Sequence, residues 1–249
     1  AGGWDVREVL RGDTSWQGAD LGHAFYAVGL TADFRTRPFD TIDAHVHLLT
    51  DVLRRATFSS LVYLSSTRVY GPAASTDEET AIPAYPGNPD HLYNLSKLMG
   101  EAACLGSGLS NVRVARLSNV FGADLASANF LTEVLREAVQ TGRVSLRSNL
   151  ASAKDYVALG DVVRALEALA LRGTAPITNV AFGHNTTHGE IMDAIRAETG
   201  AEISVAPDAP TVTMPEIATQ RLDALGVRDR VSLQDSIGDL IAAFRQSTE

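Results

Sequence analysis

Leu61-Val62-Tyr63-Leu64-Ser65-Ser66-Thr67-Arg68-Val69-Tyr70-Gly71 is the stretch on which the fold turns. An unbroken apolar run ends abruptly in small polar residues. Strands buried on both faces read this way, and they belong to parallel sheets covered by helices on each side. Working outward, further apolar runs at residues 6–10, 21–28, 112–117 and 178–181 read as strands, with residues 60–65 as the central one. Between them, residues 39–55 repeat apolar positions at three- and four-residue spacing, through Ile42, Val46, Leu49, Val52 and Leu53. That period marks an amphipathic helix, and residues 90–105 form a second one. Strand and helix alternating along the chain predict an α/β fold with a parallel sheet. After Gly122 the pattern shifts to longer helices, at residues 128–140, 159–171, 188–198 and 233–244, which predict a smaller lobe over the carboxyl ends of the strands.

Charge and composition narrow the function. Twenty-one Lys and Arg stand against thirty Asp and Glu, a net charge of -9. No basic face is available to neutralise a nucleic-acid backbone, so no nucleic-acid partner is expected. The single cysteine, Cys104, excludes an internal disulfide and a multi-thiolate metal site, and it reads as a small core residue. No apolar run approaches the roughly 20 residues of a membrane span, and no secretion signal opens the sequence. A soluble, cytoplasmic protein with no membrane partner is expected.

The chemistry-bearing residues flank a long loop, residues 72–89, rich in Pro, Gly, Ser and acids. Loops of that length inside a domain are usually functional or disordered, and its position at a strand's carboxyl end favours a functional one. Beyond it comes Tyr93-Asn94-Leu95-Ser96-Lys97. Four-residue spacing on a helix puts Tyr93 and Lys97 on one face, a turn apart. An ammonium near a phenol stabilises the phenolate and lowers its pKa from about 10, so Tyr93 reads as an acid or base for a hydroxyl or carbonyl. Ser66, delivered at the strand end, can orient the same oxygen.

Four segments in order carry a resemblance. Leu64-Ser65-Ser66-Thr67-Arg68-Val69-Tyr70-Gly71 is followed by Tyr93-x-x-x-Lys97 with Glu101 beyond it. Arg116-Leu117-Ser118-Asn119-Val120-Phe121-Gly122 comes next, and then Lys154-Asp155-Tyr156-Val157 with Asp161-Val162. Together they resemble the extended short-chain dehydrogenase/reductase family, the NAD-dependent nucleotide-sugar epimerases and dehydratases. The resemblance implies a Rossmann-like doubly wound sheet at residues 1–121 and about 155–183, and a substrate lobe at about 122–154 and 184–249. It implies a catalytic trio of Ser66, Tyr93 and Lys97, with Tyr93 and Lys97 also against a bound NAD or NADP. Tyr26 falls beside the expected adenine site, and Arg11 falls near the strand end where its charge would admit NADP. For the substrate, a nucleotide sugar, it implies Ser66, Thr67, Asn119, Asn129 and Lys154. Lys154 replaces an arginine, keeping the charge without the bidentate fork. It also implies a homodimer through the helices at 39–55 and 90–105, whose Leu48, Leu49, Leu98 and Met99 exceed what one sheet contact needs. Epimerase, dehydratase and reductase outcomes share this machinery. A cofactor-independent lyase, isomerase or cyclase, or a binding module on the same fold, remain the alternatives.

One family feature is missing from the sequence given. The Gly-x-x-Gly-x-x-Gly turn that holds the cofactor pyrophosphate occurs nowhere, and Gly106-x-Gly108 ends a helix instead of opening one. Residues 6–10 read as the family's second strand, residues 21–28 as a strand normally separated from it by the absent first strand. We expect a longer natural product, and weak dinucleotide binding by the chain as given. Smaller signals read as structural. Thr187 and Glu190 form a capping box, so His184 and His188 need no metal. His45 and His47 point to different helix faces, and Glu78 and Glu79 read as a solvated pair.

Overall fold

A computed structural model describes residues 3–10, 12–30 and 33–246. In chain order the elements are β1 (His23–Tyr26), α1 (Pro38–Ile42), α2 (Leu48–Arg55), β2 (Ser60–Ser66), α3 (Leu92–Gly106), β3 (Val112–Leu117), β4 (Asn119–Phe121) and α4 (Phe130–Thr141). Then follow β5 (Arg143–Leu146), β6 (Ala153–Ala158), α5 (Leu159–Arg172), β7 (Ile177–Val180), β8 (Asn185–Thr187), α6 (His188–Thr199), β9 (Glu202–Val205), α7 (Gln220–Ala224) and α8 (Leu233–Gln246). A π-helical turn, Asp43–His47, joins α1 to α2, so the predicted helix at 39–55 is continuous but underwound in the middle.

The main sheet is parallel in the order β1-β2-β3-β7. Alternation along β2 explains its apolar run. Leu61 and Tyr63 pack with Leu49, Val52, Cys104 and Val114 on the α2 and α3 side. Val62 and Leu64 pack with Val162, Ala165 and Leu169 of α5 on the other. Gly100 lets α3 come close: a Cβ there would collide with the Tyr63 hydroxyl and lie 2.9 Å from the His45 carbonyl oxygen. A second hydrophobic cluster, here the lobe, brings Leu131 and Leu135 of α4, Ile191 and Ile195 of α6, and Ile237, Ile241 and Phe244 of α8 against Tyr156.

Residues 6–10 are not a strand. Val6 is 82% exposed and Leu10 65%, so the run that looked buried has no layer to bury it. β1 is therefore not spaced from a neighbouring strand in that segment, and it pairs directly with β2 as the edge of the sheet. Five short strands escaped the periodicity. The most consequential is β6, whose register places Tyr156 opposite Asn119 in β4 and Lys154 opposite Thr186 in β8. The segment around α7 returns to the sheet, where Leu222 and Val227 pack with Val62 and Val180. No helix among the described residues is long and apolar enough to cross a membrane.

Candidate active site

Ser66 closes β2 in an extended conformation and caps a one-turn 3-10 helix, Thr67–Tyr70, by accepting from the Arg68 amide at 3.2 Å. Its side chain reaches the Tyr93 hydroxyl closely enough to draw that group's pKa down. Tyr93 enters from the first turn of α3 and is buried, its ring 5.8 Å from Phe34 and 5.5 Å, edge-on, from His45. Burial raises the Tyr93 pKa above 10, while Ser66 and the Arg68 charge pull it back. The expected lowering by Lys97 is thus corrected. The Lys97 ammonium donates to the Leu64 carbonyl at 2.9 Å and lies 5.1 Å from the Tyr63 ring centre, one turn deeper. Burial, opposed by Glu101, pushes the Lys97 pKa down to about 8.

Lys97 also lies beside the backbone that follows β1. A Cβ on Gly29 would sit 3.4 Å from the Lys97 Nζ and 3.0 Å from the His45 Nε2. The small residue leaves a cradle next to the ammonium, which fits the ribose of a nicotinamide dinucleotide. His45 fixes this wall. Its Nε2 accepts from the Leu30 amide at 3.2 Å, and its Nδ1 meets Ser96 Oγ at 2.8 Å, which donates to the Tyr93 carbonyl. Burial, then the nearby Lys97, pushes the His45 pKa down to about 3, so the ring is neutral. His47 is exposed and pairs with Asp43, on the other helix face as expected.

The remaining predicted residues separate. Thr67 is buried beneath the 3-10 turn. Asn119 is exposed at the end of β4 and donates to the Asp155 carbonyl at 2.8 Å. Lys154 is half-buried, 5.9 Å from the Phe130 ring centre, with its pKa lowered by burial and by Arg68. Asn129 is the N-cap of α4: its Oδ1 accepts from the Thr132 amide at 3.0 Å and its amide nitrogen donates to Ser127 Oγ at 2.8 Å, so the amide is occupied. Tyr26 is buried in the core with its hydroxyl donating to the Ala44 carbonyl at 2.6 Å. Arg11 lies outside the described residues.

Several motif residues serve the scaffold. Glu101 takes Arg116 in a two-pronged ion pair, at 2.7 Å from Nη2 and 3.0 Å from Nε, and also accepts from the Ser65 hydroxyl. Asp155 binds the Ser118 hydroxyl and the Phe182 and Gly183 amides, which locks β6 to the turn after β7. Asp161 accepts from the Val231 amide at 2.8 Å. Glu78 is not solvated: it is buried and accepts from the Asn179 amide at 3.0 Å, while Glu79 pairs with Arg221 at the surface. Thr187 and Glu190 form the expected capping box. Phe34, His45 and Arg68 were missed. Phe34 and Arg68 sit in segments without period, and only the assembled fold brings them to Tyr93.

A parallel sheet with a strand-end serine, a helix-borne Tyr-x-x-x-Lys and a Lys-Asp-Tyr strand defines a Rossmann-like dehydrogenase-type enzyme. Residues 18–181 match the NAD dependent epimerase/dehydratase family, and the chain belongs to it, within the extended short-chain dehydrogenase/reductase class. Members are enzymes that use NAD or NADP, which agrees with the dinucleotide reading and not with a cofactor-free one. The chain is 30% identical over 217 residues to a dTDP-6-deoxy-L-talose 4-dehydrogenase (NAD(P)(+)) of Kitasatospora kifunensis, covering 81% of this chain and 67% of that protein. It is 26% identical over 158 residues to a dTDP-glucose 4,6-dehydratase of Streptomyces griseus, covering 62% of this chain and 47% of that protein. The chain thus spans about two thirds and about half of these relatives. MoeE5, solved with UDP-glucose and NAD, has the same fold at a TM-score of 0.76 and 20% identity, covering 91% of this chain and 80% of that one.

Proposed function

We propose that this chain carries out hydride transfer between a nicotinamide dinucleotide and the sugar of a nucleotide sugar, with Ser66, Tyr93 and Lys97 as its catalytic trio. The observation that carries the reading is the convergence of Ser66 and Tyr93 at the strand end, with Lys97 one turn deeper against the Gly29 cradle. A bound NAD or NADP supplies the hydride donor and acceptor. Lys97 and the backbone at Gly29 would hold its ribose. Tyr93 is protonated at neutral pH because burial holds its pKa above 10, which suits it to protonate a sugar carbonyl as that carbonyl is reduced. In the reverse direction Tyr93 first gives up its proton to solvent, the phenolate then takes the hydroxyl proton, and Ser66 orients the oxygen. Asn119, Asn129, Thr67 and Lys154 border the substrate side. Lys154 contributes positive charge for the phosphates, and Asn129 contributes through the helix end it caps.

Among epimerase, dehydratase and reductase outcomes, the site favours simple oxidation or reduction. Elimination, and epimerisation at a carbon other than the oxidised one, draw on a further base, and the buried carboxylates Glu78, Glu101 and Asp155 are each engaged by amides, hydroxyls or Arg116. The relative that is a 4-dehydrogenase supports the same choice. The test is turnover of dTDP- and UDP-hexoses, followed by the absorbance of the reduced nicotinamide. Tyr93→Phe should lower turnover about 10²- to 10⁴-fold with circular dichroism unchanged. Undiminished turnover in that variant would reject the assignment.

A cytoplasmic homodimer completes the proposal. Phe39 is 79% exposed and Met99 57%, on the two helices expected to pair, and Leu48 and Leu98 are half-buried beside them. Leu49, expected in that face, is instead fully buried against the sheet. Light scattering at micromolar concentration should give twice the chain mass, and a monomer would contradict it.

A further inference from the structure

We propose that Arg68 supplies the positive charge that acts on Tyr93, leaving Lys97 to hold the cofactor ribose. The inference rests on Tyr93 being the proton-transfer group proposed above, and it assigns to Arg68 a positioning and activating role. The Arg68 guanidinium stands 4.8 Å from the Tyr93 ring centre and 5.9 Å from that of Phe34. A phenolate spreads its charge into the ring, so a cation over the ring face favours the ionised form. Arg68 acts on the same oxygen by a second route. Its backbone amide donates to Ser66 Oγ, which leaves the serine hydrogen for the Tyr93 oxygen.

The groups around Tyr93 make Arg68 stand out. From the π-turn, His45 meets the ring edge-on and is neutral. From residues 33–37, Phe34 covers the ring, and Arg35 behind it is tied to Asp90. From α3 itself, Lys97 is turned to the Leu64 carbonyl and the Tyr63 ring, with Glu101 next to it. From β2, Tyr63 is held protonated by burial. From β6, Lys154 faces Arg68 and repels it. Among the described residues no carboxylate pairs with Arg68, so its charge is undiminished by a partner. Nothing in the sequence marks it, because it occupies an exposed position of a one-turn 3-10 helix.

The test reads Tyr93 directly and needs neither cofactor nor substrate. A fluorinated tyrosine at position 93, with a lower intrinsic pKa, brings its ionisation into the range where the fold persists, and ¹⁹F chemical shift against pH gives the titration. Arg68→Gln should raise the pKa by about one unit, a tenfold loss of phenolate at a given pH. Arg68→Lys should restore part of it, and Lys97→Gln should move it less than Arg68→Gln does. An unmoved titration in Arg68→Gln overturns the proposal, as does a larger shift from Lys97→Gln. An unmoved titration with a raised KM would assign Arg68 to an anionic group of the substrate instead. Circular dichroism at the titration pH confirms that each variant is folded. Should Tyr93 not be the proton-transfer group, Tyr93→Phe would retain turnover while the titration still reported on Arg68, so the two failures are distinguishable.

Discussion

Two buried polar clusters, one beneath the strand ends and one in the lobe, are built on opposite terms. In the first, Glu101 and Arg116 form a two-pronged pair, and Arg116 also donates to the Tyr70 hydroxyl at 2.9 Å. Tyr70 donates to Asn179 Oδ1 at 2.8 Å, and the Asn179 side-chain nitrogen reaches the Thr76 and Ala218 carbonyls. In the second, His188 stacks on Phe130 at 4.2 Å and meets Ser148 through Nδ1 at 2.8 Å. Its Nε2 has no partner among the described residues, nor do the Tyr156 hydroxyl and Asn185 Oδ1. A completed network resists removal of any member, since each deletion strands a desolvated charge or dipole. An incomplete one already bears the cost of unmet hydrogen bonds, about 1–3 kcal/mol for each buried group.

The sharpest way to break this contrast is to neutralise the first cluster. Glu101→Gln leaves the Arg116 guanidinium buried without a counter-charge and should destabilise the fold by about 3–5 kcal/mol. Urea denaturation measures it, and a loss below about 1 kcal/mol would mean that water or a rearranged neighbour replaces the carboxylate.

That cluster also shows what a sequence discloses. Tyr70, Glu101 and Arg116 come from three of the motifs that carried the family resemblance, and they bond to one another beneath the strand ends. They are far apart in the chain, and motif spacing cannot say that they meet. The apolar run at residues 61–64 is decisive because Leu61, Val62 and Tyr63 are fully buried and Leu64 partly so, on alternate faces of the sheet. Residues 6–10, Val6-Arg7-Glu8-Val9-Leu10, do not form a strand: their apolar positions are interrupted by two charges, and a sequence pattern does not record the presence of a covering layer. Ser66 and Tyr93 were legible because a strand end and a first helical turn fix their direction. Phe34, His45 and Arg68 reach Tyr93 only through tertiary placement, and Tyr26 and Asn129 had hydrogen bonds closer at hand than any ligand.

A weaker and more selective probe is acid. His45 and His188 titrate in the folded chain at about 3 and about 4, both pushed down first by burial, against 6.5 in the unfolded chain. Between pH 6.5 and pH 4 the unfolded state therefore binds more protons than the folded one. Stability must fall as pH falls through that window, by up to about 1.4 kcal/mol per pH unit for each histidine. His45→Asn should lower this slope by about one proton. It should also reduce stability at pH 7.5, where the neutral ring bridges the Leu30 amide to Ser96. A slope unchanged from wild type in urea midpoints at pH 7.5, 6.5 and 5.5 would show that His45 is charged in the folded protein.

The smallest effect should come from His188→Leu, and its two readouts should part company. The slope should again fall by about one proton, because the group that charges on unfolding is gone. Stability at pH 7.5 should change by only about 1 kcal/mol in either direction. The substitution sacrifices the Ser148 bond and the ring stack, but it removes the unpartnered Nε2 and leaves an apolar side chain against Phe130. A loss as large as that of Glu101→Gln would place His188 in a completed network like the first, with Nε2 bonded in solution. A reduced slope with little change at pH 7.5 would establish that buried polar groups in the lobe are tolerated, whereas those under the strand ends hold the fold together.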